Sequence, residues 1–150
     1  MRVAFAGDHA GFPLKEAVKD HLLKKGLAVH DFGAYSQDAV DYPDLAFILA
    51  RAVSGGEFRY GILFCGTGIG VSIAANKVPG IRAANCHDSF SARMARLHND
   101  ANILTLGARV IGFGLATEIV DIFLSTEFEG GRHSRRLLKI EAMEKKGYQD

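Results

Sequence analysis

The residues best suited to chemistry lie in one short segment, Cys65 to Gly70, where a thiol precedes three alternating glycines. Glycine permits positive φ and lets backbone N–H groups approach a ligand closely. The N–H groups that open a following helix can hold an anion, and a cysteine beside them can serve as a base or a nucleophile. This combination favours a reaction in which negative charge develops on oxygen.

Two plainer interpretations of this segment stay open. Its G-x-G-x-G spacing differs from the dinucleotide fingerprint G-x-G-x-x-G, and it lacks the Gly-Lys-Ser/Thr ending of a P-loop. The glycines are therefore also compatible with a simple tight turn between a strand and a helix. A lone cysteine is commonly a small buried apolar residue.

One histidine and two arginines in the second half of the chain are further candidates. His98 can move protons near neutral pH, or it can cap the end of its predicted helix. Arg132 and Arg136 are four residues apart on a predicted helix and so share a face. Two guanidinium groups on one face suit a phosphate dianion, although nearby Arg135 and Lys139 are also compatible with a solvated basic face.

Alternating strand and helix patterns position these groups. Short apolar runs predict five strands, at Val3–Ala6, Ala28–Asp31, Gly61–Phe64, Ile81–Asn85 and Ile103–Leu106. Helical patterns lie at about Phe12–Lys25, Pro43–Ser54, Ile69–Lys77, Ser89–Leu97, Gly112–Ser125 and Arg132–Lys146. The alternation predicts a single-domain, Rossmann-like α/β fold: an open parallel five-stranded sheet with helices on both faces.

Ligands in such sheets bind beyond the carboxyl ends of the strands, so the residues after each strand matter most. Asp8 and His9 follow the first strand, and Cys65 and Thr67 follow the third. Gly107 and then the charged Arg109 follow the fifth. His9 has a plainer explanation as a turn histidine held by Asp8. Titratable groups gathered at one edge are nevertheless typical of an active site.

Bulk composition excludes several classes of protein. The 150 residues suffice for one domain with a real core. Because 18 basic residues balance 17 acidic ones, nothing indicates a nucleic-acid or membrane partner. The two cysteines form neither a CxxC pair nor a disulfide framework, which favours a cytoplasmic protein. No signal peptide, membrane-spanning run or metal-ligand spacing is predicted.

Together the candidate groups suit the abstraction of a proton next to a carbonyl. That chemistry needs a base and stabilisation of an enediolate oxygen. It needs no redox cofactor, which fits a chain without a dinucleotide fingerprint.

At these residues the chain resembles the family of type B ribose-5-phosphate isomerases and galactose-6-phosphate isomerase subunits. The matching motifs run in order along nearly the whole chain: Gly7-Asp-His-Ala-Gly-Phe, Asp41-Tyr-Pro-Asp, Cys65 through Lys77, Gly80-Ile-Arg-Ala, His98-Asn-Asp-Ala-Asn and Glu129-Gly-Gly-Arg-His. The resemblance implies an aldose–ketose isomerase of the non-oxidative pentose phosphate pathway. It would interconvert D-ribose 5-phosphate and D-ribulose 5-phosphate through a cis-enediolate, without metal or cofactor.

The resemblance also implies a role for individual residues. Cys65 would move the proton between C2 and C1, since the glutamate base of some members is replaced here by Val71. The enediolate would be held by the backbone N–H groups of Gly66, Gly68, Ile69 and Gly70. Thr67 and His98 would assist opening of the furanose ring, with Asp8 and Tyr42 nearby. Asn99 would contact sugar oxygens, and the phosphate would be bound by His9, Arg109, Arg132 and Arg136.

In this family the active site lies at a subunit interface, which implies a homodimer, or a tetramer, with shared sites. The C-terminal helix, at about 132–146, is expected to pack on a neighbouring subunit. One alternative is an isomerase of a six-carbon aldose 6-phosphate, such as allose or galactose 6-phosphate. Another is a non-catalytic module that binds a sugar phosphate or a nucleotide. A cysteine hydrolase would need a base paired with the thiol, and the sequence indicates none.

Overall fold

The computed structural model describes residues 1–146. Within that range, five strands alternate with helices. The strands are β1 (Arg2–Gly7), β2 (Ala28–Asp31), β3 (Gly61–Cys65), β4 (Ala83–Asn85) and β5 (Ile103–Gly107). The helices are α1 (Phe12–Lys24), α2 (Tyr42–Ser54), α3 (Ile69–Ala75), α4 (Ser89–Asn99), α5 (Phe113–Ser125) and α6 (Arg132–Lys146).

The predicted elements match these bounds closely, and β4 shows the largest difference at a strand start. The strand was expected from Ile81, but it begins two residues later, at Ala83. The reason is local: the Ile81 N–H donates to the Val78 carbonyl in a turn closed by Gly80, which has a φ of 82°. An N–H used in that turn cannot join a strand ladder.

All strand pairs are parallel, and the sheet order is β2-β1-β3-β5-β4. After β1, the chain forms β2 on one side of β1 and later forms β3 on the other side of β1. This reversal makes the carboxyl ends of β1 and β3 a topological switch point, where open α/β sheets bind ligands. The predicted fold class is confirmed.

Helices cover both faces of the sheet. On one face α1, α4 and α5 pack against Phe5, Phe64 and Leu106, whereas on the other α2 and α3 pack against Leu63 and Ile103. Because side chains alternate along a strand, Cys65 shares the face of Leu63 and points toward α2 and α3. The thiol is therefore on the side of the sheet where α2 begins with Tyr42.

Helix α6 stands apart from these two layers. It buries His133 and Leu137 but leaves large apolar side chains exposed at Leu138, Ile140 and Met143. No helix within residues 1–146 has both the length and the apolar character that crossing a membrane requires.

Candidate active site

The turn after β1 lies directly against the end of β3. The Asp8 N–H donates to the Phe64 carbonyl at 3.1 Å, and the buried Asp8 Oδ1 accepts from the Gly11 N–H at 2.9 Å. Asp8 does not hold His9, whose Nδ1 instead accepts from the Val40 N–H at 3.3 Å. The structure thus places an aspartate and a histidine beside the strand that ends in Cys65.

Cys65 is nearly buried and is linked to the glycine turn. Its Sγ accepts a hydrogen bond from the Gly68 N–H at 3.0 Å. Gly68 has a φ of 77°, a left-handed conformation that glycine adopts without strain. A side chain there would also collide with Asn85 Oδ1. The turn therefore requires glycine, and it leaves the Cys65 sulfur as a hydrogen-bond acceptor.

The turn also presents backbone donors. The Ile69 N–H donates to Thr67 Oγ1 at 3.2 Å, so this donor is used inside the turn. Over the described part of the chain, the N–H groups of Gly66, Thr67 and Gly70 have no protein acceptor. Free N–H groups at a turn are suited to a developing oxyanion.

Two side chains border the turn. The Tyr42 ring packs on Gly70, where an added Cβ would lie 2.6 Å from a ring carbon and 2.9 Å from the hydroxyl oxygen. On the other side the Arg109 N–H donates to the Gly66 carbonyl at 3.0 Å, and its guanidinium lies over Gly66. A phenol and a cation therefore flank the same short backbone segment.

Two supporting contacts were not anticipated from the sequence. The buried hydroxyl of Thr105 donates to the Gly68 carbonyl at 2.8 Å and so fixes the orientation of that peptide. The fully buried Lys15 donates to Asp31 Oδ1 at 2.7 Å and to the Ala34 carbonyl, which ties the loop after β2 to α1. In the sequence, these contacts are indicated only by the position of Thr105 within an apolar strand and of Lys15 within the apolar face of a helix.

The charge state of Asp31 follows from this contact. Burial alone would raise the pKa of Asp31, but hydrogen bonds from Lys15 and Lys19 outweigh it and hold the pKa below its usual value. Asp31 is therefore ionised at neutral pH and neutralises the buried lysine.

The other predicted residues lie at the opposite edge of the sheet. Helix α4 carries the chain back to the amino ends of the strands, where Arg82 Nε donates to the Asn99 carbonyl at 2.9 Å. The Glu129 N–H donates to the Leu97 carbonyl at 3.1 Å, which brings the start of α6 alongside. The five residues of β5 separate the two edges by about 16 Å.

The structure therefore assembles the predicted residues into two groups rather than one. The carboxyl-edge group comprises Asp8, His9, Tyr42, Cys65, Gly66, Thr67, Gly68, Ile69, Gly70 and Arg109. The amino-edge group comprises His98, Asn99, Arg132 and Arg136. His98 lies at the amino edge because the helix that carries it runs antiparallel to the strands.

Within the amino-edge group, the rings of His98 and His133 are stacked with centroids 4.1 Å apart. Burial, together with the positive charges of His98 and Arg132, lowers the pKa of His133. His98, Glu129 and His133 also place potential metal-ligand atoms within 4.8 Å of one another. However, Arg132 and Arg136 lie close to these groups, and their positive charges repel a cation. The group is better suited to an anion.

Apolar surface surrounds the amino-edge group. A groove of about 800 Å³ runs between α6 and the end of α3, and it is lined by Ile81, Asn99, Leu137, Ile140 and Met143 among others. Exposed apolar side chains also occur on α2 and α3, at Phe47, Ile48, Ile69 and Ile73. Apolar surface of this extent is typical of a contact surface between proteins.

Comparison with known proteins identifies relatives of the whole chain. Residues 3–140 match the ribose/galactose isomerase family. The chain is 49% identical to ribose-5-phosphate isomerase B of Escherichia coli over 145 residues, which is 97% of each protein.

Two solved structures are similar to the whole fold. One is ribose-5-phosphate isomerase B of Clostridium thermocellum, with 55% identity, a TM-score of 0.96 and coverage of 97% of this chain and 99% of that one. The other is the enzyme of Mycoplasma genitalium with bound ribulose-5-phosphate, with 43% identity, a TM-score of 0.92 and coverage of 97% of each chain.

Proposed function

This chain belongs to the ribose/galactose isomerase family, and from that membership we propose that it interconverts D-ribose 5-phosphate and D-ribulose 5-phosphate. The observation that carries the proposal is Cys65 beside the Gly66–Gly70 turn, at the switch point of the sheet. A base next to free backbone donors is what the isomerisation of an aldose to a ketose needs. The reaction belongs to the non-oxidative pentose phosphate pathway.

The proton transfer is assigned to Cys65. As a thiolate it removes the C2 proton of the open-chain aldose, and the electron pair moves to form the C1–C2 double bond of a cis-enediolate. The N–H groups of Gly66, Thr67 and Gly70 stabilise the enediolate oxygens. A proton then moves from O2 to O1 of the enediolate, and return of the carbon-bound proton to C1 gives the ketose. Val71 takes no part, since it is fully buried in the apolar core.

Ribose 5-phosphate enters as a furanose, so the ring must first open. We assign this step to His98 as the group that moves the proton of the ring and anomeric oxygens. Thr67, Asp8 and Tyr42 assist from the carboxyl-edge group, and Asn99 binds sugar hydroxyls. The phosphate is held by His9, Arg109, Arg132 and Arg136, and the three guanidinium groups suit a dianion.

These roles require residues from two chains. Cys65 and His98 lie at opposite edges of the sheet, separated by about the length of β5. We therefore propose a homodimer in which the carboxyl-edge group of one subunit faces the amino-edge group of the other. A two-fold axis then creates two equivalent sites. The exposed apolar side chains of α3 and α6 supply the contact surface.

The reaction itself is tested by a coupled isomerase assay on the purified chain in the presence of EDTA. The substrates are ribose 5-phosphate, allose 6-phosphate, galactose 6-phosphate and a tetrose 4-phosphate. We expect the highest kcat/KM for ribose 5-phosphate and no loss with EDTA, with Cys65→Ala as the inactive control. A clear preference for a six-carbon substrate would favour the alternative isomerase, and no turnover of any sugar would contradict the proposal.

A further inference from the structure

Helix α4 ends in an unusual way, directly after His98 and Asn99. Asp100 has a φ of 45° and a ψ of 43°, and among residues 1–146 it is the only residue other than glycine with a positive φ. The Asp100 N–H donates to the Arg96 carbonyl and the Ala101 N–H to the Ala95 carbonyl. This is the left-handed helix termination in which glycine is the usual residue.

The aspartate is held in this conformation by two arginines. Its Oδ1 accepts from Arg96 Nη1 at 2.9 Å and its Oδ2 from Arg82 Nη2 at 3.2 Å. Arg96 is only 1% exposed and lies over the rings of Tyr60 and Phe123, at 4.7 Å and 5.7 Å. The buried guanidinium needs a counter-charge, and Asp100 supplies it.

The same arginines hold the backbone on both sides of Asp100. Arg82 Nε donates to the Asn99 carbonyl at 2.9 Å and to the Asp100 carbonyl at 3.1 Å, while Arg96 donates to the Ala101 carbonyl. Glycine would adopt this turn without strain but would lose the carboxylate contacts. Strained residues persist where their surroundings impose the conformation, and they cluster at functional sites.

We infer that Asp100, clamped by Arg82 and Arg96, is a positioning residue that fixes His98 and Asn99 in the orientation needed to reach a sugar at the partner's carboxyl-edge group. The inference rests on the proposed function. Asp100 does not touch substrate; it acts through the two residues before it. Its loss should therefore impair ring opening, assigned to His98, and spare the proton transfer assigned to Cys65.

The reaction offers a probe that separates these two steps. Ribulose 5-phosphate is an open chain, because its C5 oxygen carries the phosphate and cannot close a five-membered ring onto C2. In D₂O the base removes a C1 proton and returns a deuteron from solvent, so deuterium enters the remaining ribulose 5-phosphate without ring opening. Conversion of ribose 5-phosphate requires both steps.

The test compares Asp100→Gly and Arg82→Met with the wild-type dimer, with His98→Asn as the reference for lost ring opening. Glu127→Gln is the matched control, since it removes an exposed carboxylate that is paired with a different arginine, Arg59. Glu127 is also close to this region, because it follows Thr126, whose carbonyl accepts from Arg96. We expect kcat for ribose 5-phosphate to fall about tenfold to a hundredfold in both variants. Deuterium exchange should stay within about twofold of wild type, and the control should change neither rate.

Sedimentation equilibrium establishes which variants remain dimers. Asp100→Gly should remain a dimer, because glycine suits the left-handed turn. If Asp100→Gly dissociates, the rates of Arg82→Met are used to test the inference. Equal losses of conversion and exchange, no loss of either, or dissociation of both variants would overturn the inference. A wild-type chain with neither conversion nor exchange would contradict the proposed function itself, and the inference with it.

Discussion

Cys65 and Cys86 both lie at the ends of strands, but their surroundings differ. Cys65 Sγ accepts from the Gly68 N–H beside a turn with free donors. Burial, aided by the negative charge of Asp88, raises the pKa of Cys86 to about 11. At pH 8 only about one Cys86 in a thousand is ionised. Of the two thiols, Cys65 is therefore the one that we propose as the base.

From this difference we predict that substitutions of the two cysteines have different effects on turnover. Cys65→Ala should lower kcat by about a hundredfold to ten-thousandfold, the range for loss of a general base, while binding of ribose 5-phosphate is retained. Cys86→Ala should keep normal turnover. Iodoacetamide at pH 8 should inactivate the wild type with one modification, located at Cys65 by mass spectrometry and blocked by substrate. Inactivation that tracks modification of Cys86 would contradict the assignment.

Individual residue types were the part of the site most accessible from sequence. The thiol, the glycines and the arginines stand out because their chemistry is recognisable without their neighbours. Thr105, Lys15 and Asp100 do not stand out in this way. Thr105 and Lys15 gain their roles from contacts with carbonyl groups that are distant in sequence. Asp100 gains its role from an unusual positive φ. No local sequence pattern indicates such features.

At the scale of elements, α6 is an unusually polar helix that presents Arg132 and Arg136 on one face. Both are exposed, and Arg136 has no ion pair within residues 1–146. Arg132 contacts Glu129 Oε1 at 3.4 Å, whereas the charge of Arg136 is unpaired in this part of the chain, and we propose that the substrate phosphate neutralises it.

The proposed phosphate contact of Arg136 on α6 can be tested by substitution. Loss of one charge-assisted contact costs about 1.5–3 kcal/mol, so Arg136→Ala should raise KM about tenfold to a hundredfold. Because a phosphate contact binds ground and transition states alike, kcat should change little. Arg135→Ala, one position along the same helix, is the matched control and should leave both constants unchanged. Equal KM values for the two variants would contradict the role of Arg136.

The loop that follows β2 depends on the ion pair between Lys15 and Asp31. Removing one partner of a buried pair leaves the other charge uncompensated, so Asp31→Asn should reduce the free energy of unfolding at pH 7 by about 3–5 kcal/mol. The pKa of Asp31 is lowered in the folded state. The stabilisation is therefore complete above about pH 4 and is lost as pH falls through that lowered value.

Urea unfolding at several pH values checks this prediction. The stability of the wild type should decline more steeply than that of Asp31→Asn as the pH falls below about 4. Parallel curves would mean that the lowered pKa of Asp31 does not contribute to stability.

Element types and the sheet class could be predicted because apolar runs and helical periodicity are local signals. Where an element begins is decided by hydrogen bonds, as the turn before Ala83 illustrates. The edge occupied by His98 also followed from topology alone: a helix that joins two parallel strands must end at their amino edge.

The whole molecule presents half of a proposed site at each edge of its sheet. One chain holds Cys65 and the backbone donors at one edge, and His98 and two arginines at the other. The order of elements already places His98 at the amino edge, but a sequence does not show which groups of another subunit face that edge. The central claim is that two copies bring the two halves together.

Subunit exchange between two inactive variants tests that claim most directly. Cys65→Ala damages the carboxyl-edge group, and His98→Asn damages the amino-edge group. If the halves meet across the interface, each mixed dimer contains one doubly damaged site and one intact site. Equal mixing should then restore about a quarter of the wild-type activity toward ribose 5-phosphate, because half of the dimers are mixed and half of their sites are intact. No recovery, with mixed dimers demonstrated by native mass spectrometry, would contradict the shared site.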